Sequence, residues 1–174
     1  MIRTMLVSLT VIGLLVACGQ TPATRPADFA LRYSWREGTV PPRYHYSYTI
    51  TVSPAGEGLM ELVPGYDATT VPTYRETFVL SAVQLDALHD KLRASGVFTT
   101  PWRQLSGMQA PIGGSSQAVT VTAAGTETSV ADYLPPDQAS AGDELFAAIN
   151  ALVPADARAR LLAQHEAFMA AYGG

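Results

Sequence analysis

Two stretches of the sequence come close to the catalytic motifs of hydrolases, and the first contains His165 and Glu166. The zinc-protease motif HExxH needs a second histidine one helical turn later, so that both imidazoles can bind one metal ion. Met169 occupies that position here. The other histidines, His45 and His89, belong to different predicted elements and have no ligand-like spacing around them. We therefore predict no metal site, and we expect His165 at the edge of the apolar stripe of its helix.

The second stretch, residues 114–118, reads GSSQA and departs from the nucleophile elbow GxSxG in its last residue. That motif exposes a serine on a tight turn between a strand and a helix. Here a loop with proline and glycine precedes the serines and a β-rich stretch follows them, so the flanks are reversed. We interpret Ser115 and Ser116 as polar residues that lead into a strand, and a serine nucleophile remains the alternative.

Two carboxylates, Asp86 and Asp90, are four residues apart and would share one face of a helix. Such a pair can act as acid and base if burial separates its pKa values. Because Lys91 and Arg93 are close in sequence, we expect both carboxylates on the solvated side of an amphipathic helix. The sequence also contains neither a phosphate-binding loop nor a dinucleotide fingerprint. We therefore predict no cofactor.

Aromatic residues provide the best candidate for a binding surface. Tyr and Trp offer a large amphipathic area at low entropic cost and are enriched where proteins bind partners, although they also fill β-sheet cores. Several of them fall on two neighbouring predicted strands or in nearby loops. The candidate binding residues are Trp35, Tyr44, Tyr46, Tyr48 and Trp102.

The composition limits the class of protein. With 174 residues, of which 48% are hydrophobic and 15% charged, the chain can form one core and is too short for two ordinary domains. Its formal net charge is -4, and its eleven basic residues are spread along the sequence. This distribution argues against nucleic acid as a partner and against a polybasic membrane patch. The single cysteine, Cys18, excludes an internal disulfide.

The first eighteen residues have the form of an export signal, with Arg3 in a short basic start and an apolar run over residues 5–17. As a helix this run would extend roughly 20 Å, too little for a hydrocarbon core of about 30 Å. Residues 15–18, LVAC, resemble the lipobox of bacterial lipoproteins. An apolar residue stands three places before the cysteine, and a small residue stands directly before it.

The resemblance implies cleavage between Ala17 and Cys18, with a diacylglyceryl group on the Cys18 sulfur and usually an acyl chain on its nitrogen. Two or three such chains anchor a protein to a membrane essentially permanently. It also implies a place in the cell envelope outside the cytoplasm. The outer membrane is favoured if the host has one, because Gly19 replaces the Asp of a retention signal. The chain then divides into a signal peptide (1–17), a lipidated cysteine with a flexible tether (18–27) and a single globular domain (28–174).

The globular part contains stretches in which apolar and polar residues alternate with a period of two. This alternation is typical of half-buried strands. Turn residues rich in proline and glycine separate the stretches. The predicted strands occupy residues 29–36, 44–52, 59–63 and 74–80, as a meander, and 118–122 and 128–133, as a second hairpin.

Three helices are predicted beside the strands. Residues 81–84, SAVQ, fit a capping box, and an apolar stripe of Leu85, Leu88 and Leu92 leads to Gly96, which ends the first helix. Two more helices are expected before and after Pro154, and residues 99–116 read as a long loop. The predicted fold class is α+β: an antiparallel sheet, built from a four-strand meander plus a hairpin, with about three helices packed on one side.

We expect a non-enzymatic envelope lipoprotein, tethered to a membrane through lipid on Cys18, that binds an envelope protein or another envelope component. The binding surface would be the sheet face or the loop 99–116. The layout of the mature domain resembles that of many small, uncharacterised bacterial lipoproteins. Two alternatives remain open. One is a small envelope hydrolase that uses Ser115 or Ser116 with a histidine, and the other is a hydrolase inhibitor that inserts the loop as a wedge.

Overall fold

The computed structural model describes residues 24–67, 71–105 and 114–172. The described part contains six strands and three helices. Their order along the chain is four strands, one helix, two strands and two helices. They are β1 (Ala30–Arg36), β2 (Tyr46–Val52), β3 (Glu57–Pro64), β4 (Tyr74–Val79), α1 (Ala82–Ala94), β5 (Ser116–Ala123), β6 (Thr126–Ala131), α2 (Pro136–Asn150) and α3 (Ala155–Ala171).

All six strands form one antiparallel sheet in the order β4-β3-β2-β1-β5-β6. The chain is therefore α+β with an antiparallel sheet, as predicted. The prediction of a four-strand meander plus a hairpin was not exact, because the hairpin extends the same sheet by pairing β5 with β1. This pairing brings Tyr33 opposite Val119. The first strand of the meander thus becomes a central strand, with a partner on each side.

The strands bury one face and leave the other accessible. On β1, Leu31 and Tyr33 are buried, whereas Arg32, Ser34 and Arg36 are exposed. The buried residues of the strands belong to one apolar cluster that also contains buried residues of α1, α2 and α3. We call the face that carries Arg32, Ser34 and Arg36 the open face, and the other the helix face. Side chains alternate between the two because successive residues of a strand point to opposite sides.

Helix α1 begins as the sequence predicted. The Ser81 hydroxyl accepts a hydrogen bond from the Gln84 backbone N–H, and the Gln84 side chain accepts one from the Ser81 N–H, which completes the capping box. Helices α2 and α3 instead follow prolines, Pro135 and Pro154, which have no N–H that would need a partner. None of the helices in the described ranges is both long enough and apolar enough to cross a membrane.

Part of the long loop is held against α2 by one side chain. Gln138 is buried, and its amide accepts a hydrogen bond from the Arg103 N–H while it donates one to the Pro101 carbonyl. Leu105 then donates its N–H to the Tyr133 carbonyl. The segment 101–105 therefore lies along α2 and the chain that follows β6. The remainder of the predicted loop, residues 106–113, lies outside the described residues.

Candidate functional site

The residues of the two catalytic near-motifs lie on opposite sides of the sheet. Ser115 is exposed, and its carbonyl accepts a hydrogen bond from the Tyr133 hydroxyl. Ser116 opens β5 opposite Arg36, on the open face. His89 and His165 are buried in α1 and α3, on the helix face. Within the ranges the structure describes, neither serine side chain forms a hydrogen bond with a histidine.

All three histidines are buried, and each has an Nε2 atom without a hydrogen-bond partner in the part of the chain described. The Nδ1 atom of His45 lies 2.6 Å from the Gly65 carbonyl oxygen. Burial lowers the pKa of His89 and of His165, because the charged imidazolium would lose its hydration. Over residues 24–67, 71–105 and 114–172, no group of three or more His, Cys, Asp or Glu residues could hold a metal ion.

The carboxylates Asp86 and Asp90 are solvated, as predicted, with 59% and 60% of their side chains exposed. Asp86 accepts a hydrogen bond from Arg25, and Asp90 lies 3.4 Å from a guanidinium nitrogen of Arg93. Each carboxylate therefore forms a surface ion pair.

Three of the predicted binding aromatics pack together on the helix face. The Trp35 ring stacks on that of Tyr48 at a centroid distance of 5.2 Å and contacts Tyr46 at 4.9 Å. Tyr48 is buried, whereas Trp35 and Tyr46 are half-buried and pack against the core. Tyr46 also contacts the His165 ring at 4.7 Å. Much of the surface of these three rings is therefore buried by packing within the molecule.

The other two predicted aromatics lie apart from this cluster. Tyr44 precedes β2 and is 44% exposed, with the Arg43 guanidinium 4.5 Å from its ring centroid. Trp102 packs against the core from the loop segment, and its indole N–H is buried without a partner in the described part of the chain. The five aromatic candidates thus do not form one continuous surface.

A different set of residues forms a cleft of about 600 Å³ on the open face, which we call the arginine cleft. Strand β1 runs along its floor, with β2 and β5 on either side. Register places Arg36 between Ser47 and Ser116, and Ser34 between Thr49 and Ala118. Gln104 and Tyr133 also line the cleft. The principal side chains facing it are Arg32, Ser34, Arg36, Ser47, Thr49, Glu61, Arg75 and Ser116.

Three positive residues, Arg32, Arg36 and Arg75, and two negative ones, Glu61 and Asp132, line the cleft. Asp132 accepts a hydrogen bond from the Gln117 N–H. Arg75 donates a hydrogen bond to Glu61 over 2.7 Å, so this pair is locally compensated. Arg32 and Arg36 form no ion pair with any described residue. An arginine guanidinium is a cation with five N–H donors and no acceptor. The middle of the open face therefore carries two positive charges whose hydrogen-bond donors are free to meet a ligand, although the chain as a whole is acidic.

The binding residues predicted from the sequence were aromatic, and three of them lie on the helix face. Arg32 and Arg36 were not among the predicted binding residues. A signal for them was present, because they alternate with Leu31, Tyr33 and Trp35 on the first predicted strand. That alternation places both arginines on the face opposite the core. Arg25, Arg75 and Arg103 pair with carboxylates distant in sequence, so which arginines lack an ion-pair partner became visible only in the folded structure. Comparison with protein-family models and with curated proteins finds no match to this chain.

Proposed function

We propose that this protein is a lipid-anchored, non-enzymatic binding module of the cell envelope, and that the arginine cleft is its binding site. The observation that carries the proposal is the pair Arg32 and Arg36, two exposed guanidinium groups without an ion-pair partner among the described residues, in a cleft on the open face. Charged side chains that face a cleft without compensation provide electrostatic complementarity for a ligand of opposite sign.

The rigidity of the cleft floor supports binding. Strand β1 pairs with β2 from Leu31 to Arg36 and with β5 from Ala30 to Arg36, so the backbone beneath the arginines is fixed by hydrogen bonds. Binding groups held on regular elements lose less entropy when a ligand arrives than groups on a loop. The arginine side chains still lose rotamer freedom, and a charge-assisted contact can offset that cost.

The lipid anchor forms the second half of the proposal and rests on the lipobox at residues 15–18. The test is Cys18→Ser, which removes the sulfur that would carry the diacylglyceryl group. We expect the wild-type chain to sediment with membranes and to partition into detergent, and the variant to do neither. If both proteins fractionated in the same way, the lipid anchor would be contradicted. The proposal that the cleft binds a ligand would be unaffected, because footprinting tests it separately.

Footprinting in intact envelopes tests the cleft without knowledge of the ligand. An arginine-selective dicarbonyl reagent is applied to cells that make the protein and, separately, to the purified full chain in detergent, and modification is read by mass spectrometry. We expect Arg32 and Arg36 to be protected in the envelope and reactive after purification. Arg43, which is exposed outside the cleft, serves as the internal control. Equal reactivity of Arg32 and Arg36 in both samples would refute the binding site.

A further inference from the structure

The chemistry of the arginine cleft identifies a class of ligand, and this inference rests on the proposed function. We infer that the cleft binds an acidic saccharide, a chain of sugars that carries carboxylate groups. Three properties of the cleft lead to this class: the spacing of its two free arginines, the hydroxyl groups on its floor, and the small size of the aliphatic residues on its open face.

The two free arginines are spaced for a ligand with more than one anionic group. Arg32 and Arg36 are four residues apart on one strand, so their Cα atoms are separated by about 13 Å along the floor. Each guanidinium presents a planar fork of N–H donors that matches a carboxylate in a bidentate contact. An extended ligand that lies along β1 can satisfy both.

Hydroxyl groups surround the positions of the two arginines. Ser34 lies between them, and register brings Thr49 beside Ser34 and Ser47 and Ser116 beside Arg36. A hydroxyl can donate and accept hydrogen bonds, and its proton rotates to suit the partner. Sugar hydroxyls have the same property. A floor of serine and threonine side chains therefore complements the hydroxyl-rich part of a saccharide between its carboxylates.

The floor is poorly suited to a polypeptide. An extended peptide commonly binds by adding a strand to a free sheet edge, but β1 already has a partner on each side. Protein interfaces also depend on a few large apolar or aromatic anchors in fitted pockets. Among the described lining residues, the aliphatic ones on the open face are Val63, Ala118 and Ala131, which are small. Of the aromatic ones, Trp35 and Tyr48 stack on each other on the helix face, and Tyr133 donates its hydroxyl to the Ser115 carbonyl. The surface is thus polar, hydroxylated and positively charged.

The experiment measures binding of the full chain, in detergent micelles, to three matched probes by calorimetry or fluorescence. The first is an oligomer of galacturonic acid, which supplies sugar hydroxyls and carboxylates. The second is its methyl ester, which keeps the sugars and removes the charge. The third is polyglutamate, which keeps carboxylates and has no sugar. We expect binding to the acidic oligomer to be at least about tenfold tighter than binding to either control, because only it matches both features.

Variants locate the interaction. Arg32→Gln combined with Arg36→Gln should weaken binding of the acidic oligomer at least about tenfold, whereas the matched control Arg43→Gln should leave it unchanged. Thermal unfolding of each variant confirms that the fold is intact. Equal binding of polyglutamate, equal binding of the ester, or no binding of the acidic oligomer would each overturn the saccharide inference. The footprinting of Arg32 and Arg36 in envelopes would still test the proposed binding function, because it does not depend on the chemical class of the ligand.

Discussion

The side-chain amide of Asn150 donates a hydrogen bond to the hydroxyl of Tyr33 over 2.9 Å, and thereby joins the last residue of α2 to the central strand β1. The Asn150 oxygen accepts a second hydrogen bond from the Tyr48 hydroxyl over 2.8 Å. Tyr33 in turn donates to the Gln117 side chain on β5. One amide thus satisfies polar atoms of two strands beneath the helices.

Replacement of Asn150 by alanine should destabilise the protein by about 1–3 kcal/mol, because the hydroxyl of Tyr48 would lose its acceptor and Tyr33 its donor in a partly buried region. Chemical denaturation of the variant measures the change in the free energy of unfolding. Glu144→Ala in the same helix is the control, because Glu144 is exposed and should contribute less than about 0.5 kcal/mol. Equal effects of the two substitutions would contradict the role of this amide.

His89 should make the protein sensitive to acid. It is buried in α1 between Phe29 and Phe98, and burial lowers its pKa below the ordinary value of 6.5, opposed by Asp90 and Asp86 and assisted by Arg93 and Arg25. The unfolded chain therefore binds the proton more readily than the folded chain. The free energy of unfolding should fall as the pH decreases from about 6.5 toward the lowered pKa.

The test is His89→Leu, which keeps the apolar volume and removes the titrating group. Chemical unfolding is measured at several pH values between 7 and 5. The variant should lose less stability on acidification than the wild type. Some pH dependence of the free energy of unfolding should remain, because burial also lowers the pKa of His165. Parallel pH profiles for the two proteins would show that His89 is not a source of acid sensitivity.

Local patterns in the sequence predicted most of the elements. The period-two alternation identified the strands, and the capping box at Ser81 located the start of α1. The position of β5 could not be derived in the same way, because nothing near Val119 specifies that it pairs with Tyr33 rather than with another strand. Pairing between residues so far apart depends on which arrangement buries both apolar faces at once, and that is a property of the whole chain.

Gly58 lies directly beneath the ring of Phe78, so that a Cβ atom at this position would overlap the ring. Because both residues are buried, Gly58→Ala should cost about 1–3 kcal/mol through overpacking. A double-mutant cycle with Phe78→Leu checks the cause. The penalty for the alanine should shrink when the smaller leucine replaces the ring. Additive effects of the two substitutions would show that the loss of stability on Gly58→Ala does not arise from overlap with the Phe78 ring.

Asp28 holds the turn between β5 and β6 from the segment before β1. Its carboxylate accepts hydrogen bonds from the backbone N–H groups of Gly125, over 2.6 Å, and Ala124, over 2.8 Å. These bonds lower the pKa of Asp28 below the ordinary value of 3.8. The stabilisation is therefore present above about pH 4 and is lost as the pH falls through the lowered pKa.

Asp28→Asn removes the charge and keeps one acceptor oxygen. At pH 7 the variant should unfold at a lower denaturant concentration than the wild type, and the difference should close as the pH falls below the lowered pKa of Asp28. Equilibrium unfolding at pH 7, 4 and 2.5 measures it. A difference that stays constant over this range would mean that the carboxylate charge contributes nothing to the turn.

The candidate site was harder to predict than the fold for a physical reason. The packed rings of Trp35, Tyr46 and Tyr48 have the residue types of a binding surface, but the helices cover the face on which they lie. Arg32 and Arg36 have ordinary surface residue types. What distinguishes them is their place in a cleft of the folded sheet, which residue type alone does not indicate.

The strand order also constrains how the molecule can assemble. One neighbour of β1 is β2, the next strand along the chain. The other is β5, which begins at Ser116, 80 positions after β1 ends at Arg36, so the second edge of β1 is covered only once β5 has joined the sheet. Until then the meander presents an open edge with unpaired backbone groups, which can recruit a foreign strand. The β5–β6 hairpin of a second copy of the chain matches this edge best, because it has the sequence that pairs with β1 in the monomer. At high protein concentration, chains would thus be prone to exchange hairpins. The β1–β5 pairing that completes the monomer would then join two molecules in a domain-swapped dimer.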